Sequence, residues 1–120
     1  MGVRVNFDPA NLIMCVADDP VKGVGILGKY IVHTHAKDGK RLLEVDPEIL
    51  YGIVITEDEF FNQAAFIETP LGEGQVDFKK YLKALDDIGY RGYLTIEREV
   101  GGSPEADIKM AVEYLADLIK

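Results

Sequence analysis

Three short apolar runs in this 120-residue sequence each end in groups that can bind a metal ion. The first run ends in Asp8, the second contains His33 and His35, and the third ends in Glu97 and Glu99. Carboxylate oxygens and imidazole nitrogens together suit Mn²⁺, Co²⁺, Mg²⁺ or Zn²⁺ better than a metal that prefers thiolates. In parallel α/β folds, ligands bind at the carboxyl ends of the strands. The pattern therefore predicts a divalent-metal site, provided that the three runs are neighbouring parallel strands.

Each of these residues also has a purely structural explanation. Asp8 stands directly before Pro9, which is typical of a helix N-cap. A histidine on a strand is more often a hydrogen-bonded structural residue than a ligand. Two glutamates at alternate positions can simply share the solvent-facing side of a strand end. The metal interpretation is favoured because these groups occur together, at three successive strand ends.

The elements that would position these residues alternate along the chain. Alternating and β-branched apolar residues predict strands at about residues 3–7, 30–36 and 93–99. Helical patterns lie between and after these strands, so the order favours an α/β fold with parallel strands and crossover helices. Residues 42–69 show no clear pattern. They are interpreted as an irregular excursion, with a weak strand signal at 53–55 and a helical turn at 57–65.

Capping residues mark where the predicted helices begin and end. The start signals are Asp8, Asp18-Asp19-Pro20, Asp77 and Ser103-Pro104, and the stop signals are Gly28 and Gly89. The helix that begins at Asp77 carries its apolar positions at Phe78, Tyr81, Leu82, Leu85 and Ile88. The last helix is expected to bury Ile108, Ala111, Val112, Leu115 and Ile119.

Composition limits the class of protein. The net charge of −8 argues against nucleic-acid binding, which needs a basic surface for the phosphates. No apolar run approaches the ~18 residues needed to cross a membrane, and no signal peptide is visible. We therefore expect a cytoplasmic protein with no nucleic-acid or membrane partner. Cys15 is the one cysteine, so it forms no internal disulfide and is predicted to lie buried in a helix.

Four segments of the chain resemble the xylose isomerase-like TIM barrels. This family contains sugar phosphate isomerases and epimerases, with relatives among inosose dehydratases and endonuclease IV. The segments, in the family's order, are 6–12 (NFDPANL), 33–39 (HTHAKDG), 70–74 (PLGEG) and 95–97 (TIE). The resemblance implies that residues 1–120 form a partial (β/α)₈ barrel of about three βα units, which correspond to strands six to eight.

The resemblance also implies a role for each matching residue. Asp8, His35 and Glu97 correspond to metal ligands, and Glu97 also to the catalytic group that moves a proton. The residues that correspond to substrate-contact positions are Asn11, Lys37 and Arg41, and His33 is expected to contact either the substrate or a metal ligand. The implied cofactor is a divalent metal (Mn²⁺, Co²⁺, Mg²⁺ or Zn²⁺), and the implied substrate is a sugar or sugar phosphate.

The same resemblance predicts that residues 1–120 are inactive alone. A complete barrel has about 250 residues, and the family's fourth ligand is a glutamate on the fifth strand. No glutamate in the loops is an evident replacement, since Glu57, Glu59 and Glu68 lie in the excursion. The leading hypothesis is therefore a metal-dependent sugar isomerase or epimerase that needs the barrel to be completed. The alternatives are a non-catalytic half-barrel that binds or assembles and, disfavoured by the negative charge, a DNA-repair endonuclease.

Assembly follows from the same expectation. The open edges of a three-strand unit would favour pairing with another chain. The apolar strand residues that would lose the facing half of a barrel core are Val3, Val5, Ile31, Val32, Leu94 and Ile96. We expect a homo-oligomer, with a dimer favoured, or a complex with a complementary N-terminal barrel half.

Overall fold

The computed structural model describes residues 2–50 and 65–120. In chain order its elements are β1 (Val5–Phe7), α1 (Pro9–Val16), α2 (Pro20–Leu27), a 3₁₀ turn (Gly28–Tyr30), β2 (Ile31–Ala36), β3 (Asp38–Arg41), α3 (Pro47–Leu50), β4 (Phe66–Thr69), α4 (Phe78–Asp87), β5 (Leu94–Ile96) and α5 (Pro104–Ile119).

A three-stranded parallel sheet carries the fold. Its strand order is β1-β2-β5, and β2 pairs in parallel with both neighbours. Because the strands are parallel and joined through helices, their carboxyl ends lie along one edge of the sheet. The predicted α/β class and partial-barrel arrangement are confirmed, although β1 and β5 are shorter than the sequence pattern suggests.

Aspartates begin three of the helices, as predicted. Asp8 accepts the Asn11 backbone N–H at 2.9 Å, Asp19 accepts that of Val21 at 2.9 Å, and Asp77 accepts that of Lys80 at 3.1 Å. Each carboxylate satisfies a donor that the first helical turn leaves free. These local hydrogen bonds explain why the helix starts could be read from the sequence.

Two other end signals act differently from their prediction. Gly28 follows α2, but its φ of −36° is right-handed, and it opens the 3₁₀ turn instead of forming a left-handed stop. A Cβ at this position would lie 3.0 Å from the Ile88 side chain, so close packing explains the glycine better than a cap. Ser103 precedes α5 without a side-chain capping hydrogen bond.

The last helix buries less than its apolar periodicity indicates. Ala111 and Leu115 are buried, as expected. Ile108, Val112 and Ile119 were expected on the same face but are exposed at 41%, 53% and 63%. That part of the prediction is wrong. Within the described part of the chain, the rest of the protein covers only a narrow stripe of α5, and its apolar face is wider than that stripe.

An antiparallel pair, β3 with β4, was not predicted. Asp38 pairs with Thr69 and Arg41 with Phe66. The sequence pattern suggests only a charged end to the second strand at β3 and an excursion at β4. The pairing was missed because β3 is charged and glycine-containing, and its partner lies too far along the chain for a short hairpin signal.

Some predictions for the excursion lie outside the described residues. These are the strand at 53–55, Glu57 and Glu59, and the turn at 57–65 apart from its last residue.

The core lies between the helices and one face of the sheet. It contains Phe7, Met14, Val24, Tyr81 and Leu85, and Cys15 is buried there as predicted. Phe7 stacks on Tyr81 with ring centroids 5.9 Å apart.

The opposite face of the sheet is polar. The pairing register puts Asn6 beside His33, and His35 beside Thr95. Strand side chains alternate between faces, so these four lie away from the helices. Of the six apolar strand residues expected to lose a facing core, Ile31 is buried, and Val5, Leu94 and Ile96 pack against the core. Only Val3 and Val32 are mostly exposed, so the apolar argument for assembly is weaker than the sequence suggests.

Candidate metal centre

The carboxyl ends of the three parallel strands bring Asp8, His35 and Glu97 together. Each offers one ligand atom, and the three atoms all lie within 4.8 Å of one another. His35 Nδ1 is 3.3 Å from Asp8 Oδ2 and 3.2 Å from Glu97 Oε2. Two ligands at right angles around an ion, each ~2.1 Å from it, stand ~3.0 Å apart. The donor atoms and their spacing therefore fit a divalent cation.

Asp8 has a separate task for each carboxylate oxygen. Oδ1 caps α1 through the Asn11 N–H, while Oδ2 faces His35. The side chain is only 10% exposed. The capping interaction and the candidate ligand role are therefore compatible, and the cap fixes the direction in which the second oxygen points.

The His35 ring is oriented from its other side by Asn6. Its Nε2 lies 3.3 Å from Asn6 Nδ2, while Nδ1 faces the two carboxylates. Coordination through Nδ1 requires the ring proton to lie on Nε2. An Asn6 side chain that presents its amide oxygen to Nε2 would accept a hydrogen bond from this N–H. Nδ1 is thus the nitrogen available to a cation.

Lys37 is a buried cation next to the candidate ligands. Its Nζ lies 3.0 Å from Glu99 Oε2, 3.2 Å from Glu97 Oε2 and 3.5 Å from Glu68 Oε2. Burial by itself would lower the pKa of the ammonium. Hydrogen bonds to Glu99 and Glu97, with the charges of Glu97 and Asp8, outweigh it and raise the pKa of Lys37 above its ordinary value. Lys37 therefore remains charged at neutral pH.

A second layer of ion pairs supports Lys37. Arg98 Nη1 is 3.1 Å from Glu68 Oε1, and Arg98 Nε is 2.7 Å from Asp107 Oδ2. Glu68 Oε1 also accepts the Glu99 backbone N–H at 2.9 Å. Burial opposes the charge of Arg98, but the hydrogen bonds to Asp107 and Glu68 raise its pKa. Sequence reasoning assigned no role to Arg98 or Asp107, and no local signal could have linked them to Glu68 on β4.

Asp38 connects two of the segments that resemble the family, 33–39 and 70–74. Its buried carboxylate accepts four backbone N–H groups, from Gly39, Gly72, Gly74 and Val76, at 2.8–3.1 Å. Gly72 has a φ of +87°, and a Cβ at Gly74 would collide with the Asp38 carboxylate. The residue after Lys37 thus holds the glycine-rich loop at 70–74, a role that was not foreseen.

Two of the three candidate ligands, His35 and Glu97, line a cavity of about 520 Å³. Asn11, predicted to contact substrate, lines it together with His35, Lys37 and Glu97. The other lining residues are Met14, Cys15, Phe66, Ile67, Glu68, Glu99 and Val100. His33 is not among them; its Nε2 lies 3.0 Å from Thr95 Oγ1, and its ring is edge-on to His35 at 5.9 Å.

Arg41 is not among the residues that line this cavity, and its predicted contact with substrate stays a prediction. It lines a separate cavity with residues at the end of α1, including Ala17 and Asp18. Its Nη2 donates to the Val45 carbonyl at 3.2 Å. The physical reason is that β3 leaves the parallel sheet to pair with β4, and so carries Arg41 away from the strand ends.

Comparison with known proteins agrees with the fold. The family model for the xylose isomerase-like TIM barrel matches residues 2–118. The chain belongs to that family. No curated protein matches it significantly.

None of the helices in the described ranges is long and apolar enough to cross a membrane. The cytoplasmic location stays a prediction.

Two solved structures of the xylose isomerase-like family are similar to this chain. One is a xylose isomerase domain protein from Planctomyces limnophilus, with 30% identity and a TM-score of 0.69 over 96% of this chain. The other is a xylose isomerase domain protein from Alicyclobacillus acidocaldarius subsp. acidocaldarius, with 20% identity and a TM-score of 0.57 over 98%. The second shows the fold alone. The chain spans 35% and 37% of these two proteins.

Proposed function

We propose that this chain contributes the metal centre of a divalent-metal-dependent isomerase or epimerase that acts on a sugar. In this proposal the ligands are Asp8, His35 and Glu97. The observation that carries it is the convergence of their three ligand atoms within 4.8 Å at the ends of adjacent parallel strands. Membership of the xylose isomerase-like family supports the reaction class.

The proposed chemistry begins with removal of a proton from the carbon next to a carbonyl group. A bound Mn²⁺, Co²⁺, Mg²⁺ or Zn²⁺ would stabilise the negative charge that develops on the sugar oxygens. Glu97 is the proposed base, which takes the proton and returns it to the product. The Lys37 ammonium lies 3.2 Å from Glu97 Oε2 and donates a hydrogen bond to it, which orients the proposed base.

Of the two substrate classes, the described cavity favours an uncharged sugar over a sugar phosphate. Its carboxylates, from Glu68, Glu97 and Glu99, outnumber its one ammonium, which is already paired with them. Asn11 offers an amide to sugar hydroxyls, and Phe66 and Ile67 offer an apolar wall to the carbon–hydrogen side. His33 remains a proposed contact on the same polar sheet face.

We further propose that residues 1–120 do not turn over substrate alone. The three ligands found among residues 2–50 and 65–120 would leave the other positions of an ion to water, and the chain spans about a third of the similar solved proteins. Completion by a complementary N-terminal barrel half, or association with a second copy, is part of this proposal. The non-catalytic alternative is favoured by one observation: in the described sheet, β1 and β5 each have one unpaired side.

Metal binding is the first test. Titration of the purified chain with Mn²⁺ in a calorimeter should show one weak site, and His35→Gln should abolish it. Asp117→Asn, an exposed carboxylate at the far end of α5, is the matched control and should bind like the wild type. Loss of binding in the control, or none in the wild type, would disprove the proposed centre.

Turnover is the second test. Incubation of ketoses with the chain in D₂O, followed by NMR, should show no exchange of the proton next to the carbonyl. The same assay with a complementing barrel half should show exchange that is lost in Glu97→Gln. Metal binding without exchange in any completed barrel would favour the non-catalytic alternative.

A further inference from the structure

We infer that Lys37 is a positioning residue that holds Glu97 in place, and does not itself bind the sugar. The inference rests on the proposed metal centre and departs from the substrate-contact role that the family resemblance implies. An ammonium group has three N–H donors. Nζ of Lys37 donates hydrogen bonds to Glu97 and Glu99 and is ion-paired with Glu68 Oε2 at 3.5 Å.

The accessibility of Lys37 supports the same conclusion. Its side chain is 6% exposed although it lines the cavity. A lysine that binds a sugar needs a donor free to point at the ligand. Two donors of Lys37 go to Glu97 and Glu99, and its charge is also paired with Glu68 at 3.5 Å. Moving the ammonium away would leave the buried Glu68 charge with one partner fewer, which is costly.

The oxygen that Lys37 holds is also the oxygen nearest His35. Glu97 Oε2 lies 3.2 Å from Lys37 Nζ and 3.2 Å from His35 Nδ1. A carboxylate oxygen has more than one lone pair, so it can accept from the ammonium and still face a cation. Hydrogen bonds to ligating carboxylates orient them, and their loss commonly weakens metal binding.

The position of Lys37 is itself fixed from outside the parallel sheet. Glu68, on β4, uses Oε1 for Arg98 and for the Glu99 N–H, which leaves Oε2 directed at Lys37. Arg98 is anchored to Asp107 on α5. The antiparallel pair and the last helix therefore support the candidate ligand through Lys37.

Lys37→Met tests the inference because it keeps the length and apolar stem of the side chain but removes the charge and donors. We expect the Mn²⁺ dissociation constant to rise by about 10- to 100-fold, the usual effect of losing an outer hydrogen-bond partner. Lys37→Arg should recover part of the affinity. The matched control is Lys83→Met, the same change at an exposed pair with Asp87, and it should leave the constant unchanged.

Circular dichroism and thermal unfolding would establish that each variant is folded. If Lys37→Met does not fold, Lys37→Gln keeps a donor without the charge and should show the same direction of change. An unchanged or lower dissociation constant in a folded variant, with the wild type binding normally, would overturn the positioning role alone. Absence of Mn²⁺ binding in the wild type would overturn the metal centre itself, and this inference with it.

Discussion

Two acidic centres of this chain are used in opposite ways. The Asp38 carboxylate is fully buried, and four backbone N–H groups satisfy it. Asp8, His35 and Glu97 are only partly buried, and their ligand atoms face one another. A carboxylate whose lone pairs are all taken by the backbone stabilises a loop. A carboxylate that faces other ligand atoms is available to a cation.

The largest expected effect on stability is that of replacing Asp38. Asp38→Ala would leave four N–H groups near the 70–76 loop without an acceptor. Each buried unsatisfied donor costs about 1–3 kcal/mol, so we expect the free energy of unfolding to fall by at least ~3 kcal/mol in urea denaturation. Asp87→Asn, on the exposed surface of α4, is the control, with an expected change under ~0.5 kcal/mol. A loss of similar size in both variants would contradict the loop-anchoring role of Asp38.

Asp8 sharpens the contrast because it combines a structural and a candidate ligand role. Asn is as good an N-cap as Asp, so Asp8→Asn should change unfolding free energy by under ~0.5 kcal/mol. The loss of a charged ligand oxygen should nevertheless raise the Mn²⁺ dissociation constant by at least ~10-fold, as much as loss of an outer partner. Calorimetry and urea denaturation on the same preparation would separate the two roles.

Asp8→Ala supplies the comparison for that experiment. It removes the cap as well as the ligand and should cost ~1 kcal/mol of stability. If Asp8→Asn destabilises the protein as much as Asp8→Ala, the separation of the two oxygens would be wrong.

The smallest expected effect concerns Asp77, an exposed acidic cap with no metal role. Its hydrogen bond with the Lys80 backbone N–H lowers the pKa of the carboxyl below its ordinary value. Folding therefore favours the charged form, and the resulting stability is present above the ordinary pKa and lost as pH falls through the lowered one. The melting temperature of Asp77→Asn should accordingly fall slightly less than that of the wild type on acidification. Plots of melting temperature against pH that stay parallel for the two proteins, and do not converge at low pH, would contradict this.

Much of the fold follows from local sequence signals. The caps at Asp8, Asp19 and Asp77 act within one helical turn, so they could be read directly. The apolar face of α4 was also predicted, and Phe78, Tyr81 and Leu85 are buried. The face of α5 was predicted less well, because periodicity shows which residues are apolar but not how much of that face another element covers.

The sequence by itself determined the order of the three parallel strands and their connecting helices, and it placed Asp8, His35 and Glu97 at strand ends. Parallel pairing then brings such ends to one edge, so their proximity follows from periodicity and connectivity. Only the tertiary structure decided what surrounds them. The β3–β4 pairing carries Arg41 away and brings in Glu68, whose charge holds Lys37. These contacts join residues 25 to 31 positions apart, so no local pattern in the sequence indicates them.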